Sequence, residues 1–126
     1  MRIKRLPPVL QINLNRFGLS ADGNAKKINS RCEFEATLDI DAVIRSSESF
    51  QLSQKDENDI HVENSNLYHL HAILVHSGSL NSGHYYCFIR PQLDSDQWYK
   101  FNDTCVSEIS QRHAFNIGMG GYTSAF

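Results

Sequence analysis

Leu10, Ile12 and Leu14 alternate with Gln11, Asn13 and Asn15, the period-two pattern of a half-buried strand. Pro7-Pro8 precede it, since prolines cannot sit inside a central ladder. Ser20-Ala21-Asp22-Gly23-Asn24 reads as a turn built on the hairpin dipeptide Asp-Gly, with a short strand around Lys27-Ile28 returning from it. Leu38-Asp39-Ile40-Asp41 leads into a short helix through Val43 and Ile44. Residues 45–66, rich in Ser, Asp, Glu, Asn and Gln, read as a mobile loop or variable insert. A strand over 68–76 follows. Two aromatic and β-branched runs at 84–90 and 98–102, separated by a polar turn segment from Pro91 to Gln97, form a hairpin pattern. A last short helix is expected around Gln111–Asn116, ending before Gly118. The pattern predicts an α+β fold, mainly antiparallel β with small helices.

The hairpin carries the chemistry. Setting Phe88 opposite Trp98 puts Tyr86 opposite Lys100 and His84 opposite Asn102, with Cβ atoms about 4.5–5.5 Å apart. An imidazole and a carboxamide hydrogen-bond at that spacing. Asp103 points to the other face unless a bulge slips the register by one. Asn102 is therefore the preferred orienter of His84, and Asp103 the second candidate. A serine nucleophile usually brings a carboxylate third member, whereas a thiolate–imidazolium pair can use a neutral Asn. His84 with Asn102 leans towards cysteine chemistry.

The three cysteines do not supply that nucleophile. Cys87 lies three residues beyond His84 on the same strand and so faces the other way. Cys105 follows the Asn102 strand and is expected to pack beneath it, and Cys32 sits beside Phe34 in a strand edge. None opens a helix, where the dipole would activate a thiol, so all three read as inert buried thiols. Their number and scatter give no disulfide framework, which points to a reducing, intracellular compartment.

His69 and His71 flank Leu70 without a third ligand and read as solvent-facing, so no metal site and no cofactor are expected. The formal net charge of −2, with dispersed cations, argues against a nucleic-acid field. No apolar run approaches the ~20 residues of a membrane span, and the basic start Met1-Arg2-Ile3-Lys4-Arg5 lacks the apolar stretch of a signal peptide.

The strings Leu6-Pro7-Pro8-Val9-Leu10-Gln11-Ile12-Asn13-Leu14-Asn15-Arg16-Phe17, Tyr68-His69-Leu70-His71-Ala72-Ile73-Leu74-Val75-His76-Ser77-Gly78, Ser82-Gly83-His84-Tyr85-Tyr86 and Trp98-Tyr99-Lys100-Phe101-Asn102-Asp103 resemble, in order, the ubiquitin-specific protease catalytic domain. Lys27-Ile28-Asn29 and Cys32-Glu33-Phe34 look closest to its herpesvirus-associated type. The resemblance implies a partial papain-like cysteine protease fold and isopeptide hydrolysis after the last glycine of ubiquitin. It implies His84, Asn102 and Asp103 as catalytic residues, and His76, Gly83, Tyr85 and Phe17 along the path of the ubiquitin tail. Gly83 would let the tail backbone approach closely. Trp98 and Tyr86 read as core or hairpin packing.

The family's nucleophile box would lie before Met1, and its zinc-binding Cys-x-x-Cys pairs do not occur here. Gly120-Gly121-Tyr122-Thr123-Ser124-Ala125-Phe126 resembles entry into the last palm strand. Residues 1–126 thus read as the histidine- and asparagine-bearing half of a catalytic domain, without its N-terminal half and inactive alone. Ubiquitin and ubiquitinated proteins are the implied partners, in cytoplasm or nucleus. Two other readings stay open: an inactive ubiquitin-binding half-domain, and a β-rich interaction module whose His and Asn are structural.

Overall fold

The computed structural model describes residues 5–48 and 66–121. The chain divides into two compact units, one from residues 1–34 with 71–126 and the other from residues 35–70.

The larger unit is built on a meander of β5 (Ala72–Gly78), β6 (Gly83–Ile89), β7 (Trp98–Asn102) and β8 (Cys105–Ile109), antiparallel and in that spatial order. Ile73 pairs with Phe88 and Phe88 with Lys100. Parity therefore gives one face Ile73, Phe88 and Trp98, the buried apolar positions of the sheet. Helix α2 (Gln111–Met119) covers them: Ala114 is fully buried, and the Phe115 ring lies edge-on to Trp98 at 5.7 Å and tilted against Phe34 at 5.6 Å. Burying side chains of this size contributes about 1.5–3 kcal/mol each, so this small cluster holds helix to sheet. Ser110 caps α2 by accepting from the His113 amide. Gly120, at φ 75°, ends the helix with its N–H on the Ile117 carbonyl. The opposite sheet face carries a cross-strand row of Leu74, Cys87, Phe101 and Val106, of which Leu74 and Val106 are exposed.

A hairpin of β1 (Phe17–Leu19) and β2 (Ala25–Lys27) completes this unit, turning through Asp22-Gly23 with Gly23 at φ 82°. Ser20 Oγ and Asn24 Nδ2 both donate to the Asp22 carboxylate, which holds its pKa below the ordinary value. The smaller unit pairs β3 (Thr37–Asp39) with β4 (Leu67–His69) and carries α1 (Ile40–Glu48). Asp39 caps α1 by accepting from the Ala42 amide at 3.0 Å.

The antiparallel α+β class stands, and several boundaries move. Residues 10–14 form no strand: they have no ladder partner among the described residues, and Ile12 and Leu14 are exposed. The single strand expected over 68–76 is two, because the Leu70 amide turns to the Ala36 carbonyl while β5 starts after His71. The expected loop from residue 45 begins as the last turn of α1, and residues 49–65 lie outside the described residues, as do 122–126. Helix α2 runs through Gly118, since a bare Cα is needed there against Ile73: a Cβ would stand 2.7 Å from Ile73 Cγ2. Strand β8 was hidden because Cys105-Val106-Ser107-Glu108-Ile109 does not alternate apolar with polar residues and is exposed up to Ile109.

The hairpin register is also corrected. Phe88 pairs with Lys100, not Trp98, and Trp98 pairs instead with Ile109 on β8. Trp98 is covered by the Arg90 guanidinium, 5.9 Å from its ring centroid, while the Lys100 ammonium lies 4.5 Å over the Tyr86 ring. The slip is two residues, so every side chain keeps its expected face.

Candidate functional site

His84 stands near the start of β6, beyond the part of the sheet that α2 covers, with Ser77 of β5 directly opposite. Extending the β6–β7 register sets Asn102 opposite Tyr86, so Asn102 is a diagonal neighbour of His84. Diagonal partners lie about 7–8 Å apart at the backbone, within reach of two side chains leaning together. They meet: His84 Nε2 and Asn102 Oδ1 are 2.5 Å apart. The carboxamide oxygen can only accept, so Nε2 carries the proton and the neutral ring keeps its lone pair on Nδ1. The imidazole is therefore oriented through one nitrogen and free to take a proton through the other.

Asp103 joins the pair by a route that needs no bulge. Asn102 pairs with Cys105, leaving Asp103 and Thr104 as a two-residue hairpin loop, and Asp103 takes φ 51°. A left-handed residue at the first loop position suits a β-hairpin, and Asp tolerates that region. The turn swings the carboxylate back, placing Oδ2 3.7 Å from His84 Nε2. Side chains of His84 and Asp103 are 46% and 76% exposed, so in water the carboxylate contributes little even to a protonated ring. A covered site would strengthen that contribution.

The opposite face of the same strands holds the other predicted residues. His76 pairs directly with Tyr85, and their rings lie 4.7 Å apart. Phe17, from β1, meets the His76 ring edge-on at 5.6 Å. Gly83 is part of this cluster for a reason the sequence did not show. A Cβ on it would stand 2.6 Å from His76 Cε1 and 2.8 Å from the Ser77 carbonyl oxygen. The close approach that this glycine permits is taken up by the His76 ring.

Two residues at this site escaped the sequence reading. Lys27 Nζ donates to the His76 carbonyl at 3.0 Å and to that of Gly78 at 2.9 Å. Arg16, next to Phe17, donates to the carbonyls of Ser30 at 2.6 Å, Ile28 at 3.3 Å and Met119 at 3.3 Å. The Lys27 position was legible in principle, because a turn centred on Asp22 pairs residue 27 with Phe17.

The cysteines are placed apart from His84 with one qualification. Cys87 faces away, and Cys32 is outside any strand, its amide bonded to the Met119 carbonyl. Cys105 is exposed, not packed beneath the sheet: β8 is the edge strand after β7, and Cys105 shares the Asn102 face. His69 and His71 are both exposed. Among the described residues no three His, Cys, Asp or Glu side chains gather in a metal-binding group, and no helix is long and apolar enough to cross a membrane.

Residues 1–123 match the family described as UCH, ubiquitin carboxyl-terminal hydrolase. Ubiquitin C-terminal hydrolase 13 of Arabidopsis thaliana is 43% identical over 91% of this chain and 10% of its own length. Ubiquitin carboxyl-terminal hydrolase 15 of Saccharomyces cerevisiae is 33% identical over 90% of this chain and 9% of its own. Among solved structures, a chain of the SAGA Ubp8/Sgf11/Sus1/Sgf73 DUB module bound to ubiquitin aldehyde matches with a TM-score of 0.59 at 28% identity, covering 80% of this chain and 20% of that one. This chain thus spans about a tenth of the curated relatives it matches.

Proposed function

The chain belongs to the ubiquitin carboxyl-terminal hydrolase family, and from that premise we propose that residues 1–126 supply the acid–base half of a ubiquitin-specific cysteine protease. The observation that carries the reading is the His84 Nε2 to Asn102 Oδ1 bond, which leaves Nδ1 open to a thiol. A cysteine from outside residues 1–126 attacks the carbonyl of ubiquitin's last glycine while Nδ1 takes the thiol proton. The tetrahedral intermediate collapses to a thioester as the imidazolium returns that proton to the departing lysine amine. Water, deprotonated by the same nitrogen, then hydrolyses the thioester and frees the thiol. Asn102 holds the tautomer throughout, and Asp103 favours the imidazolium while it exists.

The ubiquitin tail would run along Phe17, His76, Tyr85 and Gly83, and a path narrowed by these rings would favour residues without side chains. That gives specificity by exclusion. Ubiquitin and ubiquitinated proteins are then the partners, and the free thiols suit the cytoplasm or nucleus.

The test uses a fluorogenic ubiquitin substrate. In the full-length protein, His84→Ala should abolish turnover while ubiquitin binding survives. Turnover near wild type in His84→Ala would overturn the role of this histidine. Residues 1–126 alone should show none, and alkylation-sensitive turnover by them would place the nucleophile within the chain. Ubiquitin binding by a full-length wild-type protein that never cleaves would favour the binding half-domain instead.

A further inference from the structure

Phe17 and Lys27 are directly paired across the β1–β2 hairpin, so their side chains leave on one face, and both reach His76. Phe17 meets its ring and Lys27 its carbonyl. β5 is an edge strand, and the carbonyls of residues two apart leave a strand on the same side. The Lys27 ammonium takes two of these, His76 and Gly78, spending two of its three donors where a neighbouring strand would otherwise pair.

The His76 ring needs such support. Its Nδ1 is buried with no hydrogen-bond partner among the described residues. Packing by Phe17, Tyr85 and the bare Cα of Gly83 is what sets the ring plane. If the β1–β2 hairpin lifts, Phe17 leaves and the ring loses one wall.

We propose that Lys27 is a positioning residue, which docks the β1–β2 hairpin on the end of β5 and so sets Phe17 against His76 to complete the wall of the tail channel. It rests on the functional reading above. Lys27 acts through Phe17 and His76 and stays away from the reacting atoms, so its loss weakens binding of the tail more than the chemical step. The clamp borders an open groove of about 480 Å³ lined by Lys27, Asn29, Gly78, Ser79, Leu80 and Asn81. Water there can replace either partner, which keeps the expected effect moderate.

In the full-length protein, Lys27→Met keeps the aliphatic stem and removes the ammonium. KM for a fluorogenic ubiquitin substrate should rise roughly tenfold, which corresponds to about 1.4 kcal/mol, with kcat unchanged, as loss of uniform binding requires. Lys27→Arg should restore most of the affinity. The imidazole proton resonances of His76, shifted by the Phe17 and Tyr85 rings, should move in the same direction in Lys27→Met as in Phe17→Ala. The proposal is overturned if Lys27→Met leaves KM and the His76 resonances at wild-type values, or lowers only the melting temperature, or lowers kcat as far as kcat/KM. If the wild-type protein turns over no ubiquitin substrate, the functional reading fails instead. The His76 resonances then decide the clamp alone: moved supports it, unmoved overturns it.

Discussion

Asn102 reaches His84 diagonally across the β6–β7 ladder, its Oδ1 2.5 Å from Nε2, while the residue directly across from His84 is Ser77 of β5. A diagonal hydrogen bond depends on both side chains leaning, so shortening or recharging Asn102 should affect the orientation of the ring before it affects the fold. The turn that carries Asp103 back towards the same nitrogen supplies a second, weaker hold on the ring, at 3.7 Å.

Asn102→Ala should therefore lower kcat in the full-length protein by roughly 10²-fold, the lower end of what a well-placed general base contributes. Asp103→Ala alone should cost much less. The double variant should fall further than the product of the two single effects, because Asp103 can engage Nε2 only partly once Asn102 has gone. Steady-state kinetics of the four proteins check this. Equal effects of the two single changes would mean that Asp103 shares the orienting role on equal terms.

Gly118 tests the packing between α2 and the sheet. A Cβ there would press on Ile73 Cγ2 at 2.7 Å and on Phe34 Cζ at 3.1 Å. Ordinary helix propensity favours Ala over Gly by up to about 1 kcal/mol, but overpacking of this kind costs roughly 1–3 kcal/mol. Gly118→Ala should thus destabilise the protein in urea denaturation, and a stabilised variant would show that α2 can ride outward freely.

Much of this arrangement was readable in the chain because parity survives a register slip of two. The expected ladder set Phe88 against Trp98 and the structure sets it against Lys100, yet His84, Asn102 and the buried Phe88 all keep the same face. The Asp22-Gly23 turn fixed its own hairpin for the same local reason. What could not be read depended on contacts distant in sequence. Leu10 to Leu14 alternate like a strand but meet no ladder among the described residues. Strand β8 is exposed and lacks apolar alternation, and pairing with β7 organises it. Lys27 looked like any exposed hairpin lysine, because its two acceptors are carbonyls of β5, about fifty positions further along.

Acid should loosen the smaller unit locally. The Asp41 carboxylate accepts from the Asn66 amide and from its side chain, each at 3.1 Å, and this holds its pKa below the ordinary carboxylate value. The unfolded form then binds the proton more readily as pH falls, so the contribution is present above about pH 4 and is lost as pH drops through the lower folded value. The Ile40 amide, bonded to the Asn66 carbonyl, reports it. Its hydrogen-exchange protection should decline in that acid window more than that of the Ala114 amide in α2. Asp41→Asn should remove the difference in pH dependence, and identical acid profiles in both amides of the wild type would rule out a local effect.

Gly83 can serve two masters, and a double-variant cycle separates them. In one role its missing Cβ makes a seat for the His76 ring, as the 2.6 Å approach to Cε1 requires. In the other, which belongs to the proposed function, it would leave space for the backbone of the ubiquitin tail. Gly83→Ala should lower stability by about 1–3 kcal/mol through the clash with the ring and should raise KM. Adding His76→Ala removes the ring from the crowded space, so the stability cost of Gly83→Ala should largely vanish in that background, giving a coupling energy well above experimental error. If KM in the double variant also returns to that of His76→Ala alone, the glycine acts on the tail only through the ring. If the KM penalty of Gly83→Ala persists while its stability penalty disappears, the methyl group is blocking the tail itself, and Gly83 performs both tasks.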